Sequence, residues 1–382
     1  MIFTQTLFWF SVAALAYHLA GYPLIIAILT RFRKRYNPTP AETAEFPRVT
    51  ILCPARNEED VIEAKITSFL ELDYPHDRLN MIVISDDSED ATNEIVSRYQ
   101  DQRVELVIQK PRQGKQSAHN LVLPRLDCDY VFSTDANSIF APDALKLLVA
   151  RMRSDSRLAL VSGELRLTPG EGGKSGEGLY WRYESWLKKL DSDFHSIIGA
   201  NGSIFLIRRD LFQRVDPQSV DDFERVLTVL KNGFLAAYEP QANVFEEETE
   251  SARQEIARKI RIITPQWFVL ERNLALLNPF RYPATSFQLV SHKLLRWLFF
   301  VFVLTGFLAS AFLLQIRFYR VIFLLQCLIY GLGVLGLILQ ARGKRPPFFS
   351  LPAYLVGMIW SSLVAFVRYL QRKKTATWNP VR

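Results

Sequence analysis

Three groups of polar side chains stand where a folded chain could use them for chemistry. Asp86, Asp87 and Asp90 follow the apolar run Met81–Ser85, and Asp135 with Asn137 follows Tyr130–Ser133. Asp221 and Asp222 head the amphipathic segment Phe223–Leu230, which Gly233 is placed to end. Carboxylates accept paired hydrogen bonds from N–H and O–H donors. A carboxylate at a helix head can take up a proton; the helix dipole there lowers its pKa and burial raises it. The same residues also have plainer uses: Asp90, Asp221 and Asp222 can cap helices, and Asn137 can serve a turn.

These residues need a scaffold, and the sequence predicts one. After the Pro-containing linker Asn37–Pro47, the run Val49–Cys53 ends at Pro54-Ala55-Arg56-Asn57-Glu58 and gives way to the amphipathic stretch Val61–Leu70. The same alternation places Met81–Ser85 before Thr92–Arg98, Val104–Ile108 before Gln116–Leu123, and Tyr130–Ser133 before Pro142–Arg153. Repeated strand–helix units with nearly continuous apolar strands predict a Rossmann-like α/β fold, its largely parallel sheet covered on both faces. Ligands of such sheets bind outside the carboxyl ends of the strands, where the acidic residues fall. Gly199-Ala200-Asn201-Gly202 precedes the apolar run Ser203–Ile207. Glycines there either admit a ligand close to the backbone or simply turn the chain. Thr168–Gly178 reads as a loop, and Leu179–Leu190 reads as a packed helix with Trp181, Tyr183, Trp186 and Leu187 at helical spacing.

The 382 residues carry a net charge of +7. The basic residues cluster beside apolar runs, so anionic headgroups are a nearer partner than nucleic acid. Leu7–Leu29 is long enough to cross a bilayer, a secretory signal has a shorter apolar core, and Met1–Thr6 lacks the basic start of such a signal. Trp297–Ile316, Val321–Leu339 and Phe348–Leu370 are further candidate spans. Arg31, Arg33, Lys34 and Arg35, then His292, Lys293 and Arg296, and later Arg342, Lys344 and Arg345, place the polar insert on the cytoplasmic side. Four full crossings would leave Arg368, Arg372, Lys373 and Lys374 outside, and Pro346, Pro347 and Pro352 allow a break in direction instead. No repeated polar face of the kind that lines a pore runs along the spans. Cys53, Cys128 and Cys327 have no metal-ligand spacing and read as packing residues in a reducing compartment.

Taken in order, Pro54-Ala55-Arg56-Asn57-Glu58, Asp86-Asp87-Ser88, Gly114-Lys115, Asp135-Ala136-Asn137, Gly199-Ala200-Asn201-Gly202 and Asp221-Asp222 resemble the motifs of the family 2 glycosyltransferases. Those are GT-A enzymes that include cellulose, hyaluronan and poly-N-acetylglucosamine synthases, ceramide glucosyltransferase and polyprenyl-phosphate sugar transferases. The resemblance implies that Pro54, Arg56, Glu58, Asp86, Asp87, Lys115, Asp135 and Arg258 bind the donor. It makes Asp222 the general base and gives Arg261 the leaving diphosphate, which a guanidinium fork suits. Asp221 and Gly199–Gly202 would meet the acceptor, and Asp135 with Asn137 would hold Mg²⁺ or Mn²⁺. Two positions depart from the family. Asn137 replaces the second acid of D-x-D, and Arg258-Lys259-Ile260-Arg261-Ile262 lacks the Gln and Trp of Q-x-x-R-W, which puts processive synthesis in doubt.

The expected organisation is an N-terminal transmembrane helix with its basic flank at 1–35 and a cytoplasmic GT-A domain at 36–262. Interfacial amphipathic helices at 263–296, where Trp267, Phe268 and Leu270 suit a lipid surface, transmembrane helices at 297–371 and a basic tail at 372–382 complete it. The implied activity is inverting transfer of a sugar from a nucleotide-sugar, a UDP-sugar by resemblance, to a hydroxyl of a lipid or growing glycan at the cell (inner) membrane. A polyprenyl-phosphate acceptor is the first alternative, and a non-catalytic nucleotide-binding membrane scaffold is the second.

Overall fold

The computed structural model describes residues 1–32, 45–168, 177–247, 252–343 and 347–373. The cluster Arg33-Lys34-Arg35, most of the linker Asn37–Pro47, residues 169–176 of the expected loop, Lys344, Arg345, Pro346 and Lys374 lie outside the described residues, as does the side chain of Trp181.

The four strand–helix units fold as their patterns predict. Strands β1 (Val49–Ala55), β2 (Leu79–Asp86), β3 (Val104–Gln109) and β4 (Tyr130–Thr134) pair in parallel in the order β3-β2-β1-β4. The helices Ile62–Leu70, Thr92–Ser97, Lys115–Val122 and Ala144–Arg153 accompany them. Because side chains alternate along a strand, Ile51 and Cys53 enter one core with Ile66, Phe69 and Leu145. Leu52, between them, enters a second core with Ala118, Val122 and Phe223. Both faces are therefore covered, which is why these strands read as unbroken apolar runs.

The other half of the sheet is mixed. Strands β5 (Ile139–Phe140), β6 (Leu158–Thr168), β7 (Ile204–Arg208) and β8 (Leu235–Glu247) extend the order to β3-β2-β1-β4-β7-β6-β8-β5. β7 is antiparallel to β4 and β6, β8 is parallel to β6, and β5 is antiparallel to β8. Two of these pairings position the site. Thr134 opposite Ile204 brings Gly202 and Ser203 beside the turn after β4. Ile139 opposite Phe245 brings the end of β8, with Glu246, to the same turn.

The helices Ile2–Arg31, Arg317–Ala341 and Phe348–Leu370 are long and apolar enough to cross a membrane. The expected span Trp297–Ile316 is different: the helical segments Pro283–Trp297 and Phe299–Phe312 meet at a bend of 57°. Leu298, with φ −88 and ψ 6, leaves the helical region at the joint. The 14 residues of Phe299–Phe312 reach about 21 Å, short of the roughly 30 Å hydrocarbon core, and the segment is a candidate span only together with Pro283–Trp297. Pro352 sits inside the helix Pro347–Leu370 rather than reversing the chain. Gly333 lets the neighbouring helix approach, since a Cβ there would lie 2.6 Å from the Pro352 carbonyl oxygen.

The helical part docks onto the sheet. The helix Ala252–Arg272 runs straight through residue 262, the expected domain boundary. Trp267, Phe268 and Leu270 are buried in protein, not laid on lipid. The Trp267 ring lies 5.0 Å from Trp297 and 5.2 Å from Phe366, and it stacks on Tyr369 at 5.6 Å. Those aromatic rings, folded back from the apolar helices, satisfy the same hydrophobic face that lipid would otherwise cover. Trp297, Leu276 and Leu289 also join the second core. On the N-terminal side, fully buried Asp191 on the helix Glu177–Phe194 accepts hydrogen bonds from Tyr22 of the first helix and from Gln288 (3.1 Å), and it meets His292 Nδ1. A buried carboxylate with this many polar partners fixes the helices to one another.

Candidate active site

The loop after β2 is organised by Asp86. One of its oxygens accepts Gln109 Nε2 at 2.6 Å and the Gln113 N–H at 2.8 Å; the other accepts the Gly114 N–H at 2.8 Å. Three of about four lone-pair sites on this buried carboxylate are thus filled by protein. Gly114 follows at φ 90, a conformation natural to glycine, and starts the helix that carries Lys115. Arg56 Nη1 donates to the Asp86 carbonyl at 2.8 Å and to the Asp87 carbonyl at 2.5 Å, bracing the β1 and β2 loops. Glu58 is buried, with its N–H on Thr92 Oγ1 at 2.8 Å, while Pro54 and Asp87 are half-buried. Asp90 serves the local turn through the Thr92 N–H at 3.0 Å.

The other motifs converge on Lys115. Its Nζ donates to Asp135 Oδ1 at 2.7 Å and to the Gly202 carbonyl at 3.3 Å, and it lies 3.8 Å from Asp221 Oδ2. Burial works to lower its pKa, but Asp135 and Asp221 outweigh burial and hold it above the ordinary lysine range. Ser203 Oγ donates to Asp135 Oδ2 at 3.0 Å. Asp221 and Asp222 lie in the first turn of the helix Asp221–Lys231; Val220 takes the N-cap position, with no side-chain cap bond. Asp221 is buried and also lies 3.7 Å from His119 Nδ1.

Asp222 faces the glycine-containing segment. The Ala200 N–H donates to the Asp222 carbonyl at 3.0 Å, and a Cβ built on Gly202 would lie 3.9 Å from Asp222 Cβ and 4.0 Å from its Oδ2. Its Oδ1 has no hydrogen-bond partner among the described residues. Burial and then Asp221 push the Asp222 carboxyl up to about 6, against Lys293, Lys115 and the Phe223 N–H. A carboxyl with that pKa is ionised at neutral pH yet basic enough to take up a proton.

Asn137 is exposed on the turn after β4, and Asp135 is half-buried two residues before it. No group of three His, Cys, Asp or Glu side chains among the described residues is arranged to hold a metal. One carboxylate and one amide oxygen at an accessible turn still fit a hard cation that takes its other oxygens from a diphosphate. Arg258 is half-buried and bound to Glu255 on its own helix at 2.6 Å, with half-buried Arg261 three residues further along.

Several residues here carry no motif of their own in the sequence. Glu246 accepts from Ser203 Oγ at 2.7 Å and from Ser138 Oγ, and burial together with Asp135 raises its pKa. Lys65 is fully buried beside the Asp135 turn, donating to Thr134 Oγ1 at 2.7 Å and to the Ser138 carbonyl, and burial lowers its pKa to about 7. It stands on the apolar stripe of Ile62, Ile66 and Phe69, and a charge at that phase was the available signal. His119 is fully buried and kept neutral by burial and then by Lys115 and Arg225.

Residues 50–216 match the family model for glycosyl transferase family 2. A protein described as a probable glycosyltransferase, YdaM of Bacillus subtilis (strain 168), is 28% identical over 224 residues, 54% of this chain and 52% of that one. The beta-monoglucosyldiacylglycerol synthase of Synechocystis sp. is 32% identical over 124 residues, 31% of this chain and 26% of that one. The chain thus spans about half, or less, of the length of these curated relatives. Among solved structures, the mannosyltransferase PcManGT from Pyrobaculum calidifontis, in complex with GDP-Man and Mn²⁺, superposes with a TM-score of 0.73 at 22% identity, covering 96% of this chain and 100% of that one. That likeness carries the fold, a GT-A sheet with flanking helices.

Proposed function

From the premise that this chain carries a family 2 glycosyl transferase domain on a GT-A fold, we propose that it is an inverting transferase moving a sugar from a nucleotide-sugar, a UDP-sugar, to a hydroxyl acceptor at the membrane. The observation that carries this reading is Asp222, half-buried and with one oxygen unpartnered among the described residues, set against Gly202 and beside the Lys115–Asp135 pair. The acceptor O–H gives its proton to Asp222 as the acceptor oxygen bonds to the anomeric carbon. The anomeric C–O bond to the diphosphate breaks, and the nucleoside diphosphate leaves with the electron pair. Lys115 orients Asp135, Asp221 is a positioning residue for Lys115, and Arg261 takes the leaving diphosphate. Arg56 and Asp86 shape the donor loop from behind, through the bonds described above.

Asp135 and Asn137 would hold the divalent cation, Mg²⁺ or Mn²⁺. Bound there, it would stabilise charge on the departing diphosphate. Detergent-purified protein incubated with a panel of nucleotide-sugars is expected to release nucleoside diphosphate only with Mg²⁺ or Mn²⁺ present. Asn137→Asp adds the missing charge and should lower the cation concentration for half-activation by about threefold to tenfold. Full release in a chelator would remove the cation from the mechanism, and no release from any donor would favour a non-catalytic scaffold.

The same reading places the catalytic domain on the cytoplasmic side of the cell membrane, supported by Arg31 after the first apolar helix and by Lys293 and Arg296 before the later ones. A cysteine engineered into Thr168–Gly178, with the exposed Cys327 replaced, should resist an impermeant thiol reagent applied to intact cells. Prompt labelling there would reverse the orientation.

A further inference from the structure

Lys293 comes from the π-helical turn Leu289–Leu294, far along the chain from every motif, yet it reaches the acceptor side of the site. A Cβ built on Gly199 would lie 3.1 Å from Lys293 Nζ, and the ammonium stands 5.9 Å from the Phe223 ring centroid, beside the residue after Asp222. It makes no hydrogen bond and no ion pair among the described residues. Lys188, on the helix Glu177–Phe194, donates to the neutral Asn201 Oδ1 at 2.5 Å and lies 5.3 Å from the Tyr238 ring centroid. The segment Gly199–Gly202 is therefore bordered by Lys293 at one end, Lys188 in the middle and Lys115 at the other.

The neighbouring carboxylates are mostly taken. Glu184 accepts from Arg296 Nη1 at 2.6 Å, Glu164 accepts from Ser185 Oγ at 2.6 Å and from Tyr238, and Lys115 already serves Asp135 and Asp221. Among the described residues, Asp222 and the unpartnered Oε1 of Glu184 are left as the nearby acids, and neither carboxylate is within ion-pair distance of Lys188 or Lys293. Holding a half-buried ammonium without an anionic partner is costly, and a ligand that supplies the anion recovers that cost.

We propose that Lys293 and Lys188 form an anion subsite for a phosphate group of the acceptor, set so that the acceptor's reacting hydroxyl lies at Asp222. This rests on the transfer reading above and deepens it by naming the acceptor class as phosphate-bearing. The phosphate is held and not consumed: the hydroxyl proton goes to Asp222, the new C–O bond forms at the anomeric carbon, and the nucleoside diphosphate departs. A lipid phosphate and a soluble sugar phosphate present the same chemistry to two ammonium groups. The turn that bears Lys293 leads, across the 57° bend at Leu298, to the apolar helix Phe299–Phe312, which supports the lipid source.

The test is binding, so it needs no donor and no turnover. Full-length protein in neutral detergent is titrated with farnesyl phosphate, farnesol and glucose 1-phosphate. Farnesyl phosphate should bind about tenfold to a hundredfold tighter than farnesol, the range expected for charge-assisted hydrogen bonds to a phosphate. Lys293→Met should bring that ratio to within about threefold of unity, Lys188→Met should reduce it, and Lys293→Arg should restore most of it. Glucose 1-phosphate binding as tightly as farnesyl phosphate, and lost in the same variants, would support the subsite and assign it to a soluble acceptor. Equal binding of farnesol and farnesyl phosphate, or a preference that survives both Lys293→Met and Lys188→Met, overturns the proposal. If Lys293→Met does not fold, the binding ratios of Lys188→Met and Lys293→Arg decide the same question. Nucleoside diphosphate release measured on the same preparation decides the transfer reading separately.

Discussion

Asp222→Asn is expected to lower turnover by about two to four orders of magnitude and to change donor affinity by less than about threefold. The substitution keeps shape and hydrogen-bonding reach but cannot accept a proton, so it separates chemistry from binding. The pH dependence follows from the same group. The proposed mechanism needs Asp222 ionised, and burial with Asp221 pushes its carboxyl up to about 6. The wild-type rate should therefore fall as pH drops through about 6, and the residual rate of Asp222→Asn should lack that limb. Asp221→Asn should cost much less, because Asp221 is buried against Lys115 and His119 and acts through them. Single-turnover release of nucleoside diphosphate, followed from about pH 5 to 8, reads all three. Equal losses in the two variants would show that the roles of the pair are divided differently. A nearly active Asp222→Asn enzyme would favour a phosphate oxygen as the nucleophile.

Lys115→Met is expected to cost about a hundredfold in turnover, and roughly 1 to 3 kcal/mol in stability, as removal of one partner from a buried polar cluster does. Lys115 is the cation shared by Asp135 at 2.7 Å and Asp221 at 3.8 Å. Without it both carboxylates lose their counter-charge and Asp135 loses one of the two side-chain bonds that hold it. Lys115 also favours the ionised form of Asp222. The acid limb of any residual activity should therefore move to higher pH in the variant. Thermal unfolding in detergent and the pH–rate profile check the two effects independently. A limb that stayed in place would mean that Lys115 and Asp222 do not feel each other across Gly202.

The parallel half of the fold was legible because β1, β2 and β4 are buried on both faces and their runs are uninterrupted. The mixed half was not. β8 carries Glu239, Pro240 and Gln241 midway, and its pairing with β6 shifts register between Leu158 and Leu160 and again between Ser162 and Glu164. A bulged strand with proline in it has no clean two-residue period to detect. The site divides the same way. Asp135, Asp222, Lys115 and Gly202 stood in short ordered motifs, and the sheet brings them together. Glu246 depended on a strand that the pattern concealed. Lys293 depended on a helical turn bending back onto the sheet, and local periodicity carries no trace of such a return. Trp267 was misplaced for a related reason: an apolar stripe on a helix does not say whether lipid or protein covers it.

The second core is closed by side chains that arrive after the last strand. Trp267, Leu276, Leu289 and Trp297 pack on the face built by Phe223, Val226 and Leu230. Each large side chain of this kind contributes roughly 1.5 to 3 kcal/mol when buried. Together they are comparable with the whole net stability of a typical domain, about 5 to 15 kcal/mol. A fragment that stopped before the helix Ala252–Arg272 would keep the motifs from Pro54 to Asp222, yet it would open this face of the second core to water. Folding of the sheet and docking of the later helices are thus coupled in this molecule, so cutting those helices away should forfeit the candidate site along with them.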